Sequence, residues 1–171
     1  MNYALPFIFL SISAFGQIPE RIMNEWKMLT EGSGTWLADN KAYMSDNEPY
    51  DQYGVTWQWA IGKTSLTGRL FGLKEGKDQG TFWEFRAYYD PEDGKYKYMQ
   101  FGHGGAVGKA AFQIVDDTHT TDIVTLRYPD GNTIAIKHET ETKGNTQYSQ
   151  SYQRNNKGEW EKRRYYVWVR G

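Results

Sequence analysis

The chain has 171 residues, 39 % of them hydrophobic, which fits one domain with a sizeable core. Its net charge of -1 offers no general attraction to nucleic acid or anionic lipid. It has no cysteine, which excludes disulfides, thiolate metal sites, thiol nucleophiles and a cysteine-anchored lipid.

Residues 1–16, MNYALPFIFLSISAFG, read as a secretory signal peptide. Ala4 to Phe15 is an apolar run of signal-core length, and Ala14 and Gly16 supply small residues before a cut at Gln17. No Lys or Arg precedes the run, which departs from the usual pattern. The run also falls short of the ~18 apolar residues of a membrane span. The expectation is therefore a secreted or periplasmic domain of residues 17–171 with no transmembrane segment after cleavage.

The mature part opens on IPERIMNEWKMLTEGSGTW. Ile22, Trp26 and Leu29 recur at helical spacing, Pro19 suits a first turn, and Gly32 and Gly34 end the run, so a short helix is predicted over 19–30. Residues 39–53 are polar and read as a loop at a barrel mouth. After Gly54 the period changes to two. Val55, Trp57, Trp59 and Ile61 fall on one face, and Trp83, Phe85, Ala87 and Tyr89 on another. Hairpin chemistry punctuates the runs at PEDGK (91–95), PDGN (129–132), KGN (143–145) and NNKGE (155–159), where Gly and Asn accept positive φ cheaply.

Strands are predicted near 34–39, 54–62, 64–73, 80–89, 95–101, 106–115, 120–128, 132–141, 146–154 and 159–169. No second helix pattern follows the first. The fold class is all-β: an antiparallel up-and-down β-barrel of about ten strands with a short N-terminal helix, because closure removes the open edges of so long a meander. A two-layer sandwich is the alternative.

The motifs resemble a family. Gly34-Thr35-Trp36, following a short helix, resembles the glycine-x-tryptophan signature on the first strand of lipocalins and other calycins. In those barrels a late arginine packs across that tryptophan and closes the barrel. The resemblance assigns this part to Trp36 and to Arg170 or Arg164, beside Trp168. Scattered pieces are similar to bacterial exported proteins of unknown function with a lipocalin-like barrel. They are Trp26, Leu29, Gly34 and Trp36 (with two extra residues before the glycine), Leu66-Thr67-Gly68-Arg69, and Tyr89-Asp90 with Lys95-Tyr96. The resemblance implies a barrel and a small-ligand cavity, with no reaction attached.

The glycine-rich FGHGGAVGKAAF (101–112) lacks the following helix and the Gly-Lys-Ser/Thr of a phosphate loop, and reads as a hairpin at a barrel mouth. The histidines at 103, 119 and 138 show no metal-ligand spacing, so no metal and no cofactor is expected. One variant remains, haem held by His138 or His103, since the related nitrobindin barrels bind haem through a late histidine. No nucleophile motif supports catalysis; Glu84 with His103 is the only acid–base pair offered.

Candidate cavity residues are the aromatics Trp57, Trp59, Trp83, Phe85, Tyr166 and Trp168, with Arg69, Glu84, Arg86 and His103 as polar groups. Arg69, Glu84 and Arg86 belong to this set only if their strand face points inward. The expected partner is a small apolar or amphipathic ligand, lipid- or fatty-acid-like, and not nucleic acid. The alternative is a structural or interaction module with its barrel core filled by side chains.

Overall fold

The computed structural model describes residues 17–171, and the signal-peptide expectation for residues 1–16 lies outside the described residues. One helix, α1 (Glu20–Thr30), precedes ten strands: β1 (Thr35–Asp39), β2 (Gln52–Trp59), β3 (Ser65–Lys74), β4 (Lys77–Asp90), β5 (Lys95–Gly102), β6 (Val107–Ile114), β7 (His119–Arg127), β8 (Thr133–Lys143), β9 (Thr146–Arg154) and β10 (Trp160–Arg170). Each strand pairs antiparallel with its chain neighbour, and β10 returns to β1, so the sheet is a closed barrel of ten strands. The closing ladder pairs Trp36 with Arg170, Leu37 with Val169 and Ala38 with Trp168.

Local chemistry moves several boundaries. Strand β2 ends at Trp59, because the chain enters a tight turn over Ile61–Lys63 with Gly62 at φ 59°. Ile61 therefore does not share the inner face with Trp57 and is 82 % exposed. Strand β4 starts earlier than the sequence suggests, at Lys77, because Glu75 and Gly76, both at positive φ, make a two-residue turn that lets it pair straight back on β3. The glycine-rich stretch is the β5–β6 hairpin, with Gly104 and Gly105 in its turn at φ 84° and 83°.

Helix α1 plugs one mouth of the barrel. Its stripe of Ile22, Trp26 and Leu29 is buried against Leu66, Ala87 and Tyr96, with Trp59, Phe112 and Ile114 packed around them. Burying such side chains stabilises by roughly 1.5–3 kcal/mol each. Trp26 is 0 % exposed and meets the rings of Trp59 and Tyr96 edge-on, at centroid distances of 6.1 and 5.6 Å.

The seam residues also hold the helix in place. A helix leaves its last carbonyls without intrahelical partners. Here the Trp36 indole N–H donates to the Leu29 carbonyl at 3.1 Å, and Arg170 Nη2 donates to the Met28 carbonyl at 3.0 Å. The Arg170 guanidinium lies 4.8 Å from the Trp36 ring centroid and also pairs with Glu31, a favourable place for a cation near a helix C-terminus. Gly34, at φ 67°, makes the turn into β1; a Cβ there would lie 2.2 Å from the Trp57 carbonyl oxygen.

Strand β1 is shorter than its partner, so only the last residues of β10 are paired to it. Beyond that point the loop between β1 and β2 covers β10 with side chains. The Tyr43 hydroxyl accepts from the Tyr165 N–H at 2.9 Å, the Tyr166 hydroxyl donates to Asn40 Oδ1 at 2.7 Å, and Arg164 pairs with both oxygens of Glu48. Tyr53 and Phe82 pack at this second mouth, with Tyr53 edge-on to Tyr166. Among the described residues no helix is long and apolar enough to cross a membrane.

Candidate ligand-binding site

Strand alternation sorts the inner face from the outer. On β4, Phe85 and Ala87 are buried while Glu84, next to Phe85, is exposed and Arg86, between the two, is only half-buried. Ladder pairs share a face, so the inner set continues through Trp57, Gly68 and Phe85 on one side and Asp122, His138 and Ser151 on the other. These two arcs line a cavity of about 180 Å³ beneath α1.

One wall of the cavity is aromatic. Trp57 stacks on Phe85 at 5.4 Å and Phe85 leans on Tyr98 at 5.4 Å, with Trp36, Phe112 and Trp168 completing the surface. Gly68 makes room for this stack: a Cβ there would lie 2.7 Å from the Trp57 ring and 2.7 Å from a backbone oxygen. The opposite wall is polar and comes from β7, β8 and β9: Thr120, Asp122, His138, Thr140, Gln147 and Ser149. Thr140 donates to the Ser149 hydroxyl at 3.0 Å.

Asp122 and His138 sit opposite each other in the β7–β8 ladder, and His138 Nδ1 lies 3.2 Å from Asp122 Oδ2. Burial alone lowers the imidazole pKa, but the charge and hydrogen bond of Asp122 outweigh it and hold the group above its ordinary value. Nδ1–H therefore donates to the carboxylate, leaving Nε2 without a protein partner among the described residues. The helix contributes Glu25, whose carboxyl lines the same cavity and is pushed up to about 7 by burial.

The structure distributes the sequence candidates over several places. Trp57, Phe85 and Trp168 line the cavity. Trp59 packs under the helix against Trp26, Trp83 covers Gly102, and Tyr166 belongs to the Asn40–Arg164 cluster at the far mouth. Arg69, Glu84 and Arg86 stand on the outer face, because Gly68, Phe85 and Ala87 take the inner one. Arg69 and Glu84 border an open surface groove, where Arg69 pairs with Asp78 at 2.6 Å. His103 is exposed in the β5–β6 turn, its backbone N–H bonded to the Phe82 carbonyl, and takes no part in the cavity.

Asp122 and Glu25 escaped the sequence reading, and His138 entered it only as a haem ligand. Both carboxylates had a signal. Counting outward from the PDGN turn places Asp122 opposite His138, and Glu25 lies on the Ile22–Trp26–Leu29 stripe, where a carboxylate is out of keeping with an apolar face. For haem, His138 faces the cavity, whose volume of about 180 Å³ lies below the roughly 300–1,000 Å³ of pockets for drug-sized ligands.

The closed antiparallel barrel agrees with the calycin-like architecture implied by the glycine-x-tryptophan and late-arginine motifs. Comparison with protein-family models and with curated protein sequences returns no match.

Proposed function

We propose that the chain is a non-catalytic binding barrel, exported to the periplasm or the outside, that holds one small amphipathic ligand in the cavity beneath α1. The observation that carries this reading is the division of one cavity into an aromatic wall and a polar wall. Such a lining buries an apolar body and orients one polar end. The volume limits the occupant. A cavity of roughly 150 Å³ accepts benzene, so about 180 Å³ takes a single ring with a short tail or a short chain. Within the lipid- or fatty-acid-like class, the long-chain members are too large for it.

Native mass spectrometry of the protein purified from its own host tests the reading. A copurified small molecule, or displacement of a bound apolar dye by single-ring amphiphiles, supports it. No copurified mass and no displacement at millimolar concentrations overturns it. That result would favour the interaction module, whose supporting observation is the stripe of Tyr165, Val167 and Val169 on the outer face of β10, 48 %, 38 % and 49 % exposed.

A further inference from the structure

The polar wall also carries information about charge. Two carboxylates, Glu25 from α1 and Asp122 from β7, line the cavity, and among the described residues His138 is the only basic side chain that lines it. The nearest guanidinium, Arg170, is turned away toward Glu31, Asn145 and the Met28 carbonyl. Arg21 lies outside, in the groove beyond Glu25 that also holds Asp116 and Asp117, and donates to the Ile114 carbonyl. A ligand carboxylate entering here would face two acids with one imidazole already committed to Asp122.

A second observation points the same way. Tyr96 on β5 is 4 % exposed and lines the cavity, yet its hydroxyl has no hydrogen-bond partner among the described residues. The buried Trp26 indole N–H lies near it but outside hydrogen-bond geometry, and is itself unpaired. Burial first, and then the negative charges of Glu25 and Asp122, hold the Tyr96 phenol well above its ordinary pKa, so it stays protonated and offers lone pairs. The Tyr96 oxygen lines the cavity and can therefore accept from a ligand there. The aromatic rings of Trp57, Phe85 and Trp168 line the same cavity, and aromatic π surfaces attract cations.

Resting on the binding role proposed above, we infer that the ligand is a small primary amine. Its ammonium is held by Glu25, Asp122 and the Tyr96 hydroxyl, and its apolar body lies on the aromatic wall. An ammonium has three donors and no acceptor, which matches this set of acceptors. Binding a cation favours ionised Glu25 and neutral His138, so protons leave on binding. Tyr96 and Tyr98, the other titratable groups facing the space, are both raised and stay neutral.

The test is isothermal calorimetry with three probes of one size: phenethylamine, phenethyl alcohol and hydrocinnamate. The expected order is amine tightest, with its affinity rising roughly tenfold from pH 6 to pH 8 as a carboxyl of pKa near 7 ionises. Glu25→Gln removes most of that pH dependence and weakens the amine, roughly tenfold at pH 8, so that amine and alcohol then bind alike. Equal binding of amine and alcohol, or preference for hydrocinnamate, overturns the amine assignment and leaves the binding role standing. No binding of any probe, with no copurified ligand, overturns both. Circular dichroism of Glu25→Gln separates lost binding from lost folding; the side chain is only partly buried, and a folded variant with unaltered amine affinity also refutes the assignment.

Discussion

Replacing Trp26 tests how the helix plug is held. The side chain is 0 % exposed, contacts two aromatic rings edge-on, and leaves its indole N–H without a partner. Trp26→Ala removes the largest side chain of the plug and leaves a hole that Tyr96 and Trp59 cannot both fill. Large-to-small changes of this kind cost about 3–5 kcal/mol, which for a domain of this length lowers Tm by roughly 6–20 °C. Trp26→Phe is different. It keeps the edge contacts and loses roughly 1 kcal/mol of burial. It also deletes a donor whose unpaired burial costs roughly 1–3 kcal/mol. The two nearly cancel, so Trp26→Phe should lie within about 1 kcal/mol of the parent protein or above it. Urea unfolding followed by far-ultraviolet circular dichroism reads both variants. If Trp26→Phe were as damaging as Trp26→Ala, the N–H must be satisfied and the geometry argued for Trp26 and Tyr96 is wrong. If Trp26→Ala cost nothing, the helix is not docked.

Two further outcomes concern the seam. Burial works against ionisation of Glu48, but hydrogen bonds from Arg164 and Tyr53 and the charge of Arg164 outweigh it, so its folded pKa lies below the ordinary value. Such stabilisation is present above the unfolded pKa and is lost as pH falls through the folded one. Glu48→Gln should therefore cost about 1 kcal/mol at pH 7, discounted because Arg164 is partly exposed, and nothing near pH 2; urea midpoints at both pH values check this, and a constant difference refutes it. Arg170→Met should cost about 1–3 kcal/mol, since it frees the Met28 carbonyl and bares the Trp36 ring. Hydrogen exchange should then quicken in α1 before it quickens in β3 and β4; uniform loss of protection would show that Arg170 does not fasten the helix.

The barrel was legible because alternation and turn chemistry agree along most of the chain. Trp57 and Phe85 were readable as inner residues because polar neighbours flank them on their strands, whereas Trp168 lies between two valines and has no such cue. Arg69, Glu84 and Arg86 were ambiguous for the opposite reason. Glu84 sits between aromatics on β4, and only the register of β3 against β4 shows that Gly68 and Phe85 share the inside. The polar wall was harder still. On β7 to β9 both faces carry hydroxyls, amides and charges, so the usual apolar-in, polar-out pattern assigns no side. Asp122 could have been found by counting from the PDGN turn, whereas the Tyr43, Glu48 and Asn40 contacts join residues more than a hundred positions apart and have no local signature.

The seam between β1 and β10 ties together the two ends of the folded domain, and that fixes a moment of risk in biosynthesis. A nascent chain that has emerged as far as Arg154 carries nine strands' worth of sheet with two raw borders, one on β1 and one on β9. Exposed borders of this kind recruit other chains. Shielding arrives only with β10, so a chain cut short between Asn155 and β10 would be a nearly closed and unusually sticky product.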